Sequence, residues 1–144
     1  MPQSAPGLLV VTHGRLADEF VEAARRVVGE LTNLGAVALD WDDDLADARR
    51  RIEEGIARVA VDGRVLILTD MFGGTPSNVA LSLLEPGRVD VVSGVNLPML
   101  IKFANLRSIE GFDEAVRRIA QQGREAIQVA SEVLEKRDDP GPPR

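Results

Sequence analysis

Few residues in this chain are equipped for chemistry. Among 144 residues there is a single histidine, His13, in the run Val11-Thr12-His13-Gly14, and there is no cysteine. An imidazole can carry a transferred group when one ring nitrogen attacks and a hydrogen bond holds the other. A carboxylate is the usual holder, because it fixes the tautomer and balances the ring once the ring becomes a cation. Asp70 is the candidate, and it is followed by Gly73-Gly74-Thr75-Pro76. The paired glycines let backbone N–H groups approach an anion closely, and a helix beginning there adds more donors and a favourable dipole. The Thr75 hydroxyl offers one further hydrogen bond. A phosphoryl group on His13 is an anion that such a set would suit.

None of these residues speaks alone. A lone histidine in a small domain is more often a surface or structural residue. Gly73 and Gly74 also make a plain tight turn, with Thr75 as N-cap and Pro76 at the first helical position whether or not an anion binds. Asp70 by itself would be a loop residue or a cap. Their weight comes from being brought together, which depends on the elements that carry them.

The apolar run Leu8 to Val11 predicts a first strand, with His13 at its exit. Leu16, Phe20, Ala23, Ala24, Val27 and Val28 recur at helical spacing and are closed by Gly29, which predicts a helix from Arg15 to about Val28. Ala36 to Trp41 predicts a second strand. The acidic run after it places carboxylates at the N-terminus of a helix over roughly 44–60. Arg64 to Thr69, with Val65-Leu66-Ile67-Leu68 uninterrupted, is the clearest buried strand, and a helix follows through about Leu84. Val89 to Val92 predicts a fourth strand and Pro98 to about Leu106 a short helix. Phe112 to Lys136 then reads as one or two closing helices, with Gly123 as a possible break. The expected organisation is one domain over 1–136. Arg137 to Arg144, with three prolines and no large apolar anchor, is expected to be a disordered tail.

Strands alternating with helices imply a parallel sheet with right-handed crossovers, whose chemistry collects beyond the carboxyl ends of the strands at the switch point. With strand order 2-1-3-4 that point lies between strands 1 and 3. Neighbouring strands are about 4.8 Å apart, so His13 after the first and Asp70 after the third should meet. Met71, Phe72, Leu97 and Met99 then read equally well as core residues or as an apolar docking rim.

Composition removes whole classes of function. The 44% apolar and 28% charged content is that of a globular protein with a core, and the 3% aromatic content makes that core aliphatic. The absence of cysteine excludes disulfides and thiol nucleophiles, and one histidine makes a metal site of ordinary ligand type an unsuitable reading. A net charge of -6 with few aromatics argues against nucleic acid. The first residues lack a signal-peptide pattern and no apolar run approaches a membrane span, so a cytoplasmic location is expected, with no cofactor implied.

Three segments together resemble the mannose-family enzyme IIA of the bacterial phosphotransferase system. They are Val-Thr-His-Gly at 11–14, Asp-Met-Phe-Gly-Gly-Thr-Pro-Ser-Asn at 70–78 and Gly-Val-Asn-Leu-Pro-Met-Leu at 94–100. The resemblance extends over about residues 8–125. It implies a doubly wound α/β domain, here with about four mainly parallel strands and helices on both faces. It also implies a histidine phosphotransferase activity in which His13 accepts phosphate from the carrier HPr. Asp70 would orient the ring, and the Thr75 hydroxyl would help to hold the phosphate, beside the Gly73 and Gly74 amides read above from the residues themselves. The phosphate would pass to a IIB component during sugar uptake, or serve as a regulatory signal. As the chain carries no IIB sequence, the acceptor is expected to be a separate protein or absent, and membrane association is expected only through partners. The family's homodimers often exchange a C-terminal strand, whereas only helix is read here after Phe112.

Two rival readings are weighed by residue type. Histidine phosphatases need an arginine immediately before the nucleophile and a second histidine, and here Thr12 precedes a sole histidine. A non-catalytic flavodoxin-like module binding a small anion or nucleotide would share the switch point, yet neither G-x-x-x-x-G-K-[ST] nor G-x-G-x-x-G occurs.

Overall fold

The computed structural model describes residues 5–106 and 111–138. Four strands alternate with helices: β1 (Gly7–His13), α1 (Leu16–Val28), β2 (Leu34–Leu39), α2 (Leu45–Val59), β3 (Val65–Thr69), α3 (Gly74–Ser82), β4 (Val89–Ser93) and α4 (Leu97–Ala104). Two further helices follow, α5 (Phe112–Glu125) and α6 (Ala130–Asp138). The sheet is parallel with order β2-β1-β3-β4, so the switch point lies between β1 and β3 as expected. Register pairs Val11 with Thr69, and His13 with Leu39, which sets the exits of β1, β2 and β3 side by side.

The period of two along β1 divides the molecule into two layers. Leu8 and Val10 face one layer, where Ala17, Val21 and Ala24 of α1 pack with Leu100 and Phe103 of α4 and Ile119 of α5. Leu9 and Val11 face the other layer, against Ala48 and Ile52 of α2 and Val79 and Ala80 of α3. Helices on both faces explain the unbroken apolar run of β3, because Leu66, Ile67 and Leu68 are all fully buried in alternate directions. Burying each such side chain contributes roughly 1.5–3 kcal/mol. The same alternation aims Thr12 at α1 and His13 at the α2/α3 layer.

Several boundaries differ from the sequence expectation, each for a physical reason. β2 begins and ends two residues before the predicted Ala36–Trp41, which leaves Trp41 in the turn beyond the strand. Gly123 does not break the closing helix. It lies buried within α5, where an added Cβ would stand 2.7 Å from the sulfur of Met99, so glycine permits the close packing of α4 on α5. The chain leaves helix only after Glu125, and α6 projects with residues 130–136 exposed. α6 runs to Asp138, two residues into the expected tail, and the tail's residues 139–144 lie outside the described residues. No helix among the described residues is long and apolar enough to cross a membrane.

Candidate functional site

The end of β1 is fixed before any site chemistry begins. Thr12 is fully buried, and its Oγ1 accepts a hydrogen bond of 2.6 Å from the Ala17 N–H, supplying a partner to the first turn of α1. The Gly14 N–H donates to the Leu39 carbonyl at 2.7 Å, which ties the exit of β1 to that of β2. Between these two anchors His13 is the last strand residue.

Asp70, directly after β3, meets His13 twice through one oxygen. The His13 backbone N–H donates to Asp70 Oδ2 at 3.0 Å, and the imidazole Nδ1 lies 2.9 Å from the same atom. The other oxygen, Oδ1, accepts from the Met71 N–H at 3.0 Å. Both side chains are largely sheltered, with 16% and 14% of their surface exposed for His13 and Asp70. A carboxylate can only accept, so Nδ1 carries the proton and the lone pair sits on Nε2. The tautomer thus follows from the bonding network.

Nε2 faces the start of α3. A Cβ at position 74 would stand 3.0 Å from both Cε1 and Nε2 of His13, tighter than ordinary side-chain contact. Gly73 and Gly74 hold φ angles of +97° and +82°, a region open mainly to glycine. Gly74 therefore serves twice, in conformation and in close approach, whereas Gly73 serves by conformation alone since nothing lies near its missing side chain. The expected cap at Thr75 is not formed. The helix begins at Gly74, no side chain caps it, and Thr75 falls inside the first turn beside the buried Pro76. The N–H groups of an uncapped first turn have no partner within the helix, and proline there removes one such orphan.

His13, Asp70 and Gly74 are thus in contact. Gly73 and Thr75 flank that contact in the same strand-to-helix junction, and the Thr75 hydroxyl makes no hydrogen bond to His13. The four apolar residues read as either core or rim divide. Met71 and Phe72 are exposed beside Asp70, Met99 is buried, and Leu97 packs partly against the core.

One participant escaped the sequence reading. Trp41, in the turn after β2, stacks on the His13 ring with centroids 4.7 Å apart and planes inclined by 17°. The signal for it lay in the strand order: β2 neighbours β1, so an aromatic residue just past the β2 exit stands beside whatever ends β1. Among the described residues no group of three or more histidine, cysteine or acidic side chains could hold a metal ion.

Chemically, the arrangement is an imidazole held through Nδ1 by a carboxylate that can balance positive charge on the ring, with Nε2 turned towards a helix N-terminus. Such a set can accept and release an anionic electrophile.

Comparison with known proteins points the same way. The family model EIIA-man, described as "PTS system fructose IIA component", matches residues 7–120. The fructose-specific EIIA component of Bacillus subtilis is 30% identical over 130 residues, which cover 90% of this chain and 89% of that protein. The mannose-specific EIIAB component of Escherichia coli K12 is 28% identical over 122 residues, 83% of this chain but only 38% of that longer protein. Among solved structures, the mannose/sorbose-specific IIA subunit from Enterococcus faecalis superposes with a TM-score of 0.76 at 31% identity, covering 86% of this chain and 93% of that one.

Proposed function

We propose, from the premise that this chain belongs to the EIIA-man family of phosphotransferase-system components, that His13 is its phosphoryl acceptor, HPr its donor and a IIB component its acceptor. A role in sugar phosphotransfer follows from the family. The observation that carries the finer reading is the contact of 2.9 Å between His13 Nδ1 and Asp70, with Nε2 turned to the uncapped start of α3.

The step derives from that geometry. The Nε2 lone pair attacks phosphorus and the Nε2–P bond forms. The bond from phosphorus to the donor's leaving atom breaks, and its electron pair departs with the donor. The Nδ1 proton stays in the bond to Asp70, so the ring becomes a cation paired with a carboxylate already in place. Backbone N–H groups of Gly74 and Thr75 and the Thr75 hydroxyl are the donors proposed for the phosphoryl oxygens, helped by the α3 dipole. Transfer onward is the same step in reverse, with the acceptor's nucleophile attacking phosphorus.

A separate IIB polypeptide as acceptor is supported by the near full-length match to a relative named as an EIIA component alone. The proposed working form is a cytoplasmic homodimer of one domain over 1–136 that reaches the membrane only through its partners. The same phosphorylation could serve a regulatory output in place of transport.

Incubation with phosphoenolpyruvate, enzyme I and HPr, followed by mass spectrometric location of acid-labile phosphate, tests the reading. Phosphate on His13, absent from H13A, is the expected result. Active controls with no phosphate on this chain would leave the small-anion or nucleotide module as the better account.

A further inference from the structure

We infer that Trp41 is a positioning residue for phosphoryl transfer, an aromatic wall that holds the His13 ring and stabilises its cationic, phosphorylated state. The inference rests on the phosphocarrier reading and adds a residue to it.

Asp70 holds His13 by one edge. A hydrogen bond at Nδ1 sets the direction of the ring within its plane but leaves the ring free to tip about the Nδ1···Oδ2 axis. Tipping would swing Nε2 away from the start of α3. Trp41 blocks that motion from one face, stacked at 4.7 Å and nearly parallel. The edge contact and the face contact together define one orientation of Nε2.

Trp41 is not a core residue that touches His13 by accident. It is 78% exposed, among the most exposed large apolar side chains described. Its place is set by the turn that carries it. The Asp43 carboxylate accepts from the Asp40 N–H at 2.8 Å and pairs with Arg51 of α2 at 3.0 Å, while the Asp43 N–H donates to the Asp40 carbonyl. Asp44 is occupied as the N-cap of α2, accepting from the Asp47 N–H. Two carboxylates of the acidic run thus build the turn and the helix start, and Trp41 is the side chain that the turn delivers to His13.

The electrostatics change sign of usefulness during the reaction. A neutral imidazole gains only van der Waals contact from the indole face. When Nε2 gains phosphorus and Nδ1 keeps its proton, the ring is a cation, and the negative face of the indole attracts it. The contact is therefore stronger after attack than before it, which is the condition for lowering the barrier.

The chain has one tryptophan and one histidine, so each reports without interference. The test compares the parent chain, W41A and W41F with two donors, HPr phosphorylated by enzyme I and phosphoramidate, which needs no protein partner. From the size of an exposed cation–π contact, W41A should accept phosphate roughly three- to fivefold more slowly with either donor. W41F should recover most of the rate, since a flat π-face is restored. Trp41 emission should change as the parent chain becomes phosphorylated, and should not change in H13A. Equal rates for W41A and the parent, failure of W41F to rescue, or an unchanged emission on full phosphorylation would each overturn the inference. Labelling by phosphoramidate without labelling by HPr would instead defeat the HPr reading and leave the Trp41 comparison readable. Labelling by neither donor would remove both.

Discussion

Two helix N-termini of this molecule make a controlled comparison. Both α3 and α4 follow a parallel strand at its carboxyl end, and both carry a proline in the first turn, Pro76 and Pro98. At α4 the end is closed. Asn96 is extended, its Oδ1 accepts from the Met99 N–H at 3.2 Å, and its Nδ2 donates to the Gly123 carbonyl of α5 at 3.1 Å. At α3 no side chain caps the helix, and the position that would crowd the end is glycine packed against an imidazole. Asparagine satisfies its helix internally and ties it to a neighbour. Glycine leaves the dipole and amides of α3 facing outward, next to the His13 imidazole. The same strand-to-helix junction is thus closed where it is capped and open beside His13 where it is not.

The largest expected effect comes from removing the proposed nucleophile at the open end. H13A should accept no phosphate while keeping its circular dichroism and melting behaviour, since the ring ends a strand and contributes little to the core. Loss of the folded signal in H13A would make the histidine structural and erase the contrast with α4. Next is D70N. The amide keeps the shape, but it carries no negative charge to balance the ring as it becomes a cation, and its NH2 cannot replace the second carboxylate oxygen as an acceptor. Transfer should fall by about a hundredfold or more, as when a group that stabilises transition-state charge is lost. A wild-type rate in D70N would remove Asp70 from the mechanism.

G74A tests the open end itself. A methyl there meets Nε2 and Cε1 at 3.0 Å and must adopt a φ of +82°. Displacement of a reacting atom by a fraction of an ångström should slow transfer roughly tenfold, and the backbone strain should cost about 1–3 kcal/mol of stability. Both are measurable on one preparation, by phosphorylation rate and denaturant melt. An unchanged rate would mean that the approach of Gly74 to the ring is incidental.

The fold and the meeting of His13 with Asp70 were legible in the sequence, whereas the contrast between the two helix ends was not. The buried run of β3 and the alternation of strands with helices predict a parallel sheet, and order 2-1-3-4 brings His13 to Asp70 with no further information. What was not legible depends on contacts between elements. A threonine before a proline has the local signature of a cap, yet the glycine pair starts the helix earlier because its positive φ angles let the chain turn towards His13. Gly123 looks like a break, and only the sulfur of Met99 across the α4/α5 interface explains why a helix tolerates it there. Trp41 extends an apolar run and so reads as strand. Its stacking on His13 appears once the β2 exit is set beside β1 and the Asp43–Arg51 pair is seen to hold the turn.

The smallest expected effect, N96A, completes the comparison from the closed side. Asn96 caps α4 and bridges to α5, so its loss leaves the Met99 N–H and the Gly123 carbonyl without those partners. Replacing a side-chain cap by alanine typically costs about 1 kcal/mol, with up to about as much again for the interhelix bond. Thermal or urea unfolding should record that loss. The phosphorylation rate should not change, because α4 ends its own dipole before any ligand could use it and lies in the layer opposite the one His13 faces. If N96A slowed transfer as much as G74A, the distinction between capped and open ends would fail, and the site would have to extend across the sheet to α4 and α5 rather than stop at the β1/β3 switch point.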